Sequence, residues 1–174
     1  MRNKALKNLT AASLIAALYT ALTLIVAPLS FGPVQIRLSE ALTVLPAVCP
    51  PAVWGLSLGC FLSNLIGFLM GANPLGLIDS AIGTLATLLA AICTYYIGKA
   101  FRDGKLTLWL APLPPIIFNG IIIGLEISYF YVGNMSFVPV LLSCIYVAVG
   151  EILPCYIGSF VFLKGAKGYF KKYF

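Results

Sequence analysis

Residues 31–46 read FGPVQIRLSEALTVLP and lie between the first long apolar run of the chain and everything that follows. The Gly32-Pro33 turn and the Ser39-Glu40 start signal predict a loop that folds back and opens a helix, with Pro50 and Pro51 marking its end. Arg37 and Glu40 stand three residues apart and share a face where this part is helical. Only 9% of the chain is charged and 61% is hydrophobic, so each charge needs a reason. A hairpin of this kind can close over a ligand.

Working outward, the composition sets the class. The chain has 174 residues and a mean hydropathy of +1.02, and its apolar runs reach the roughly 20 residues that cross about 30 Å of hydrocarbon. The reading is an all-α integral membrane protein. Six spans are predicted, at 9–27, 38–50, 52–71, 77–98, 107–131 and 139–163. They use most of the sequence, so 1–174 is read as a single membrane domain, a compact six-helix bundle. A β-barrel would need short segments of strict alternation, which are absent. The first run resembles a signal peptide after Arg2, Lys4 and Lys7, but it is longer than an h-region and reaches Pro28 without a cleavage signal, so it is read as retained. Cys49, Cys60, Cys93, Cys144 and Cys155 sit in or beside apolar runs without close pairs, and there is no histidine. They read as packing residues, and no metal or cofactor is expected.

Basic residues accumulate on the cytoplasmic side of membrane proteins. Arg2, Lys4 and Lys7 precede the first span; Lys99, Arg102 and Lys105 follow the fourth; Lys164, Lys167, Lys171 and Lys172 follow the sixth. With six spans these ten of eleven basic residues share one face, which places both termini in the cytoplasm. The net charge of +6 then belongs to a fringe facing anionic lipid, and no nucleic-acid partner is implied. Arg37 is the exception, at the outer mouth of span two. It either reaches for lipid headgroups or serves as a gate or ligand contact.

Asp103 reads as a solvated charge in a basic loop, but Glu40, Asp79, Glu126 and Glu151 fall in or at the edge of apolar spans. An ionisable group at the bilayer centre costs about 2.5–3.5 kcal/mol on insertion scales, so such groups face a cavity or a partner. Glu40 and Asp79 are expected near the outer surface, Glu126 below it and Glu151 deeper. Asn119, seven residues before Glu126, and Asn64 join them in a polar pocket open to the outside, or else bond neighbouring helices. Small residues recur four apart at Ala12 and Ala16, at Ala17 and Ala21, at Gly67 and Gly71, and at Gly120 and Gly124. The alanine stripe suits either docking to another membrane protein or internal packing, and the first span offers the pocket no charge. A nucleotide-binding phosphate loop is missing, as is any histidine-based catalytic set, so no enzyme is expected. An ion-coupled carrier could use the buried carboxylates, although no internal repeat supports one. A membrane-embedded enzyme or assembly factor is the remaining class.

The run GPVQIRLSEALTVLP after an alanine-rich first helix, Asp79 followed by IGTLATLLAA, Asn119 followed by GIIIGLE, and Gly150-Glu151 together resemble the QueT family, from about Leu9 to Leu163. These are substrate-binding S components of energy-coupling factor (ECF) transporters, associated with queuosine precursors. The resemblance implies a six-helix S-component bundle in a bacterial cell membrane, with a pocket capped by loops. It also implies a membrane scaffold subunit and two ATPase subunits as partners. Ala12, Ala16, Ala17 and Ala21 match the family's scaffold-docking motif. An S component for another vitamin is the nearest alternative.

A deazaguanine presents adjacent ring N–H and amine donors that one carboxylate accepts together, and an aminomethyl arm adds a cation that suits a second. Glu126 and Glu151 are the expected principal acceptors, with Asn119 and Asn64 beside them. Asp79 and Glu40 are candidate ligands too; alternatively Glu40 holds Arg37 as a loop latch and Asp79 caps the fourth helix. Stacking falls to Phe31, Tyr129, Tyr131 or Phe137.

Overall fold

Apolar runs punctuated by Pro and Gly fold as helices throughout the computed structural model, which describes residues 2–32, 35–101 and 105–165. Pro33, Arg102, Asp103, Lys167, Lys171 and Lys172 lie outside the described residues, as does the Arg2 side chain. Helix α1 spans Arg2–Ile25 and a single turn, α2, spans Ala27–Ser30 with Pro28 in its first turn. A 3₁₀ helix covers Leu38–Ala47, and α3 runs Ala52–Leu69 after the Pro50-Pro51 break. Helix α4 spans Gly76–Ala100, α5 is the short Leu106–Leu110, and α6 covers Leu113–Ile127 before one π turn at Ser128–Val132. Helix α7 spans Phe137–Gly158 and ends in a second π turn at Ser159–Gly165. No strand occurs among the described residues.

Five of these helical stretches are long and apolar enough to cross a membrane: Lys4–Ile25, Ala52–Leu69, Gly76–Ala100, Leu106–Val132 and Phe137–Gly165. The expected second span, 38–50, is the correction to the six-span reading. It is a ten-residue 3₁₀ helix, reaching only about 20 Å at 2 Å per residue. Pro46 removes one backbone donor inside it. Its residues Ser39, Glu40 and Leu42 to Pro46 are buried, so it is a central strut with neighbours on all sides rather than an amphipathic surface helix.

Small residues make room for that strut. A Cβ on Gly98 of α4 would meet the backbone of Ala47, and one on Gly158 of α7 would meet the Ala41 carbonyl. Gly150 gives the same clearance to the Gln35 carbonyl. Around the strut, Leu42 and Leu45 pack with Tyr19, Cys49, Ala52, Leu56, Cys60 and Ala91, while Ala86, Ile123, Ile127 and Val147 form a second cluster between α4, α6 and α7.

Helix directions sort the molecule into two ends. Phe31, Gln35, Asn73 and Tyr131 meet at one; Asn8, Pro50 and Trp54 meet at the other. The described lysines, Lys4, Lys7, Lys99, Lys105 and Lys164, are all exposed and belong to segments at or near the second end.

Candidate functional site

The returning loop is tied down residue by residue. The Ile36 amide donates to the Leu29 carbonyl, and Arg37 Nε donates to the Ser30 carbonyl at 3.1 Å. Residues 35–37 are extended enough that side chains alternate: Gln35, Arg37 and Ser39 are buried while Ile36 and Leu38 are exposed. The Arg37 guanidinium carbon stands 5.4 Å from the centre of the Phe31 ring, and Nη2 is 3.5 Å from Asp79 Oδ2. Arg37 therefore turns inward, which excludes the headgroup-reaching alternative, and its partner is Asp79 rather than Glu40.

Asp79 lies in the first turn of α4 but caps no backbone N–H there. Its Oδ2 accepts from Asn73 Nδ2 at 2.7 Å, and its carbonyl accepts from Asn64 Nδ2 at 2.9 Å. Asn73 also accepts from the Leu75 amide, so the Asn73-Pro74 turn and the carboxylate are held together. Close approach of α3 and α4 here depends on Gly83, where a Cβ would come 2.9 Å from Asn64 Nδ2.

Deeper in the bundle, Glu40 on the 3₁₀ helix accepts from the Tyr19 hydroxyl of α1. Thr23, one turn beyond Tyr19, donates to Ser39 Oγ at 2.7 Å. The first helix, which carries no charge toward this region, thus meets it with hydroxyls. Asn119 of α6 donates to Glu151 Oε1 of α7 at 2.8 Å. A carboxylate oxygen of Glu40, one of Glu151 and the Cys155 thiol lie within 4.8 Å of one another.

Seven buried side-chain atoms in this region have no hydrogen-bond partner among the described residues: Arg37 Nη2, Glu40 Oε2, Asn64 Oδ1, Asp79 Oδ1, both oxygens of Glu126, and Glu151 Oε2. Buried polar groups in folded proteins are overwhelmingly paired, so this concentration of orphans singles the region out as the candidate site. Five of the seven are carboxylate oxygens, which when ionised suit a donor-rich or positively charged group.

The cavity at the end carrying Phe31 holds about 10 Å³, room for about one water. It is lined by Phe31, Gly32, Gln35, Asn73, Pro74, Leu75, Asp79, Ile127 and Tyr131. Of the four expected stacking residues, Phe31 is buried and Tyr131 reaches the cavity, whereas Tyr129 and Phe137 are exposed on the outside. The alanine stripe divides. Ala12 and Ala16 receive α3, since a Cβ on Gly55 or Gly59 would meet the Ala12 or Ala16 carbonyl, while Ala17 and Ala21 are exposed. Ala12 also borders a groove of about 420 Å³ at the opposite end, with Asn8, Leu9, Pro50, Pro51 and Trp54.

Tyr19, Asn73 and Gln35 are site residues that the sequence reading missed. Asn73 carried a signal, because Asn-Pro marks a structured turn; a lone tyrosine in an alanine-rich span carried little.

Helices long and apolar enough to cross a bilayer, packed around a cluster of buried acids, define a multi-pass membrane protein. Residues 9–167 match the model of the QueT transporter family, and the chain belongs to that family. It is similar to the queuosine precursor transporter QueT of Lactococcus lactis subsp. cremoris (strain MG1363), with 27% identity over 173 residues that cover 96% of each chain. No solved structure matches.

Proposed function

We propose that this protein is the substrate-binding S component of an ATP-driven ECF importer, and that its cargo is a queuosine precursor, either an aminomethyl-deazaguanine or queuine. Family membership and the name of the Lactococcus relative support the cargo class. The observation that carries the reading is Glu126, 4% exposed, with neither carboxylate oxygen partnered. A carboxylate in that state is matched by the adjacent ring N–H and exocyclic amine of a 7-deazaguanine, two donors for two acceptors. Asn64 Oδ1 and the remaining acid oxygens are available to further donors on the cargo.

In this reading the end carrying Phe31 and Arg37 faces outward, and the lysine-bearing end with both termini faces the cytoplasm. The 3₁₀ helix stands as the sixth element of an S-component bundle, shortened because it is buried between the other helices. A scaffold subunit with two ATPases supplies the energy. Exposed Ala17 and Ala21 form the docking face on α1, with the Ala12 groove at its cytoplasmic end, while Ala16 serves chiefly to seat α3. A cavity of about 10 Å³ is too small for such a cargo, so in this reading the loop carrying Arg37 moves to admit it.

The test is mass spectrometry of small molecules that co-purify with the detergent-solubilised protein, followed by titration into ligand-free protein. A tightly bound deazaguanine supports the reading. A different vitamin overturns the cargo, and uptake by cells lacking the scaffold and ATPases overturns the ECF mechanism.

A further inference from the structure

Glu40 and Glu151 come from different helices, yet a carboxylate oxygen of each lies within 4.8 Å of the other. Both side chains are at most 2% exposed. Each is oriented by one donor, Glu40 by the Tyr19 hydroxyl and Glu151 by Asn119 Nδ2. Each is left with one oxygen, Oε2, that has no partner. Two positioned acids this close cannot both be ionised in a medium of low dielectric unless a positive group lies between them; without one, a carboxyl holds its proton. The bundle's own buried arginine does not fill that role, because Arg37 is engaged with Asp79, the Ser30 carbonyl and Phe31.

We infer that the Glu40–Glu151 pair is a separate, deep subsite that receives an ammonium group of the cargo. This rests on the reading of the cargo as a 7-deazaguanine and assigns its cationic arm to one place. Asn119 and Glu126 are both on α6, seven residues apart, which is about 10 Å along the helix. Asn119 holds Glu151, so the pair lies about two turns from the Glu126 level. That separation is comparable with the length of a bicyclic base and its aminomethyl arm. The base then meets Glu126 while the arm reaches Glu40 and Glu151. An ammonium carries three N–H donors, and the two orphan oxygens accept two of them. A metal ion is less suited, because the third group nearby is the Cys155 thiol, already 3.7 Å from both the Glu40 carbonyl and Thr43 Oγ1.

The experiment is calorimetric titration of the full-length, ligand-free protein at pH 7 with 7-aminomethyl-7-deazaguanine and with its neutral 7-cyano counterpart, in the presence of a chelator. The wild type is expected to prefer the cationic compound by roughly 10- to 100-fold, the range of one or two charge-assisted hydrogen bonds. Glu40→Gln and Glu151→Gln should each reduce that preference to within about threefold, chiefly by weakening the cationic compound. Glu126→Gln should weaken both compounds and keep the preference. Equal binding by the wild type, or an undiminished preference in the Glu40 and Glu151 variants, overturns the subsite alone. If those variants do not purify, loss of the preference in Glu126→Gln relocates the cation and overturns it as well. Binding that the chelator abolishes replaces the ammonium with a metal. Failure of the wild type to bind either compound overturns the cargo reading and the subsite with it.

Discussion

Arg37 of the returning loop and Asp79 of α4, 42 positions apart in the sequence, form a buried ion pair at 3.5 Å that joins the loop to the bundle. Phe31 beneath the guanidinium and Asn73 beside the carboxylate complete the clamp. Arg37 Nη2 meets Asp79 Oδ2 as an ion pair without a hydrogen bond, and Asp79 Oδ1 has no hydrogen-bond partner among the described residues, so the clamp holds the loop without saturating either charge.

Removing one partner of such a pair leaves a buried charge uncompensated. Asp79→Asn is expected to lower stability by about 3–5 kcal/mol, seen as an earlier thermal unfolding transition in detergent. Adding Arg37→Gln should recover part of the loss, with a coupling of about 1–3 kcal/mol. Strict additivity of the two changes would show that they do not act as a pair.

Glu126 presents the opposite case, a buried acid with no internal partner to lose. Glu126→Gln should leave the unfolding temperature unchanged or raised, because a buried charge is removed without breaking a contact. Deazaguanine affinity should fall by about 10- to 100-fold, since one charged acceptor of two hydrogen bonds becomes a mixed donor and acceptor. Unaltered affinity removes Glu126 from the pocket.

Tyr19→Phe keeps the ring that packs against Leu42 and Leu56 and deletes the donor to Glu40. An additional unsatisfied buried carboxylate oxygen should cost about 1–3 kcal/mol, measurable as a lower midpoint of thermal unfolding. A variant as stable as the wild type would mean that Glu40 does not rely on Tyr19.

Hydropathy and Pro punctuation made the long helices legible, with ends within about two residues of those expected except at the start of α1, which begins at Arg2 rather than residue 9, because a span's length is set by the bilayer and not by its neighbours. The strut at Leu38–Ala47 was harder to read. Its apolar run looks like a short span, and its 3₁₀ form depends on the backbone clearance supplied by Gly98 and Gly158 far along the chain. The same limit applies to the site. Scarcity of charge pointed to Glu40, Asp79, Glu126 and Glu151, and their burial agrees with it. Pairing was beyond the sequence: nearness along the chain suggested Arg37 with Glu40, whereas packing of the loop against α4 joins Arg37 to Asp79. Tyr19 escaped notice because a hydroxyl within an apolar helix acquires a role only once the strut lies against it.

Close packing around the strut is itself testable. Gly158→Ala would place a methyl group against the Ala41 carbonyl, and Gly98→Ala would place one against Ala47. Neither neighbour is a flexible side-chain end, so backbone must shift, and overpacking of this kind costs about 1–3 kcal/mol or more. Both variants should unfold at lower temperature and lose ligand affinity, since the displaced strut carries Glu40. Gly71→Ala is a different control, because open space surrounds that residue and only its positive φ of 74° opposes a side chain; a smaller loss, of about 1 kcal/mol, is expected.

The two halves of the alanine stripe should separate under substitution. Ala17 and Ala21 are exposed on α1, so Ala17→Leu with Ala21→Leu should leave unfolding temperature and deazaguanine affinity within error of wild type. Under the importer reading, the same pair of changes abolishes co-purification with the scaffold subunit and ATP-dependent uptake, because bulky side chains prevent close helix approach. Ala16 is 3% exposed and abuts α3 at Gly59. Ala16→Leu should therefore destabilise the isolated protein by about 1–3 kcal/mol through overpacking. Full uptake by the Ala17 and Ala21 double variant would remove that face of α1 from docking and leave the stripe to internal packing alone.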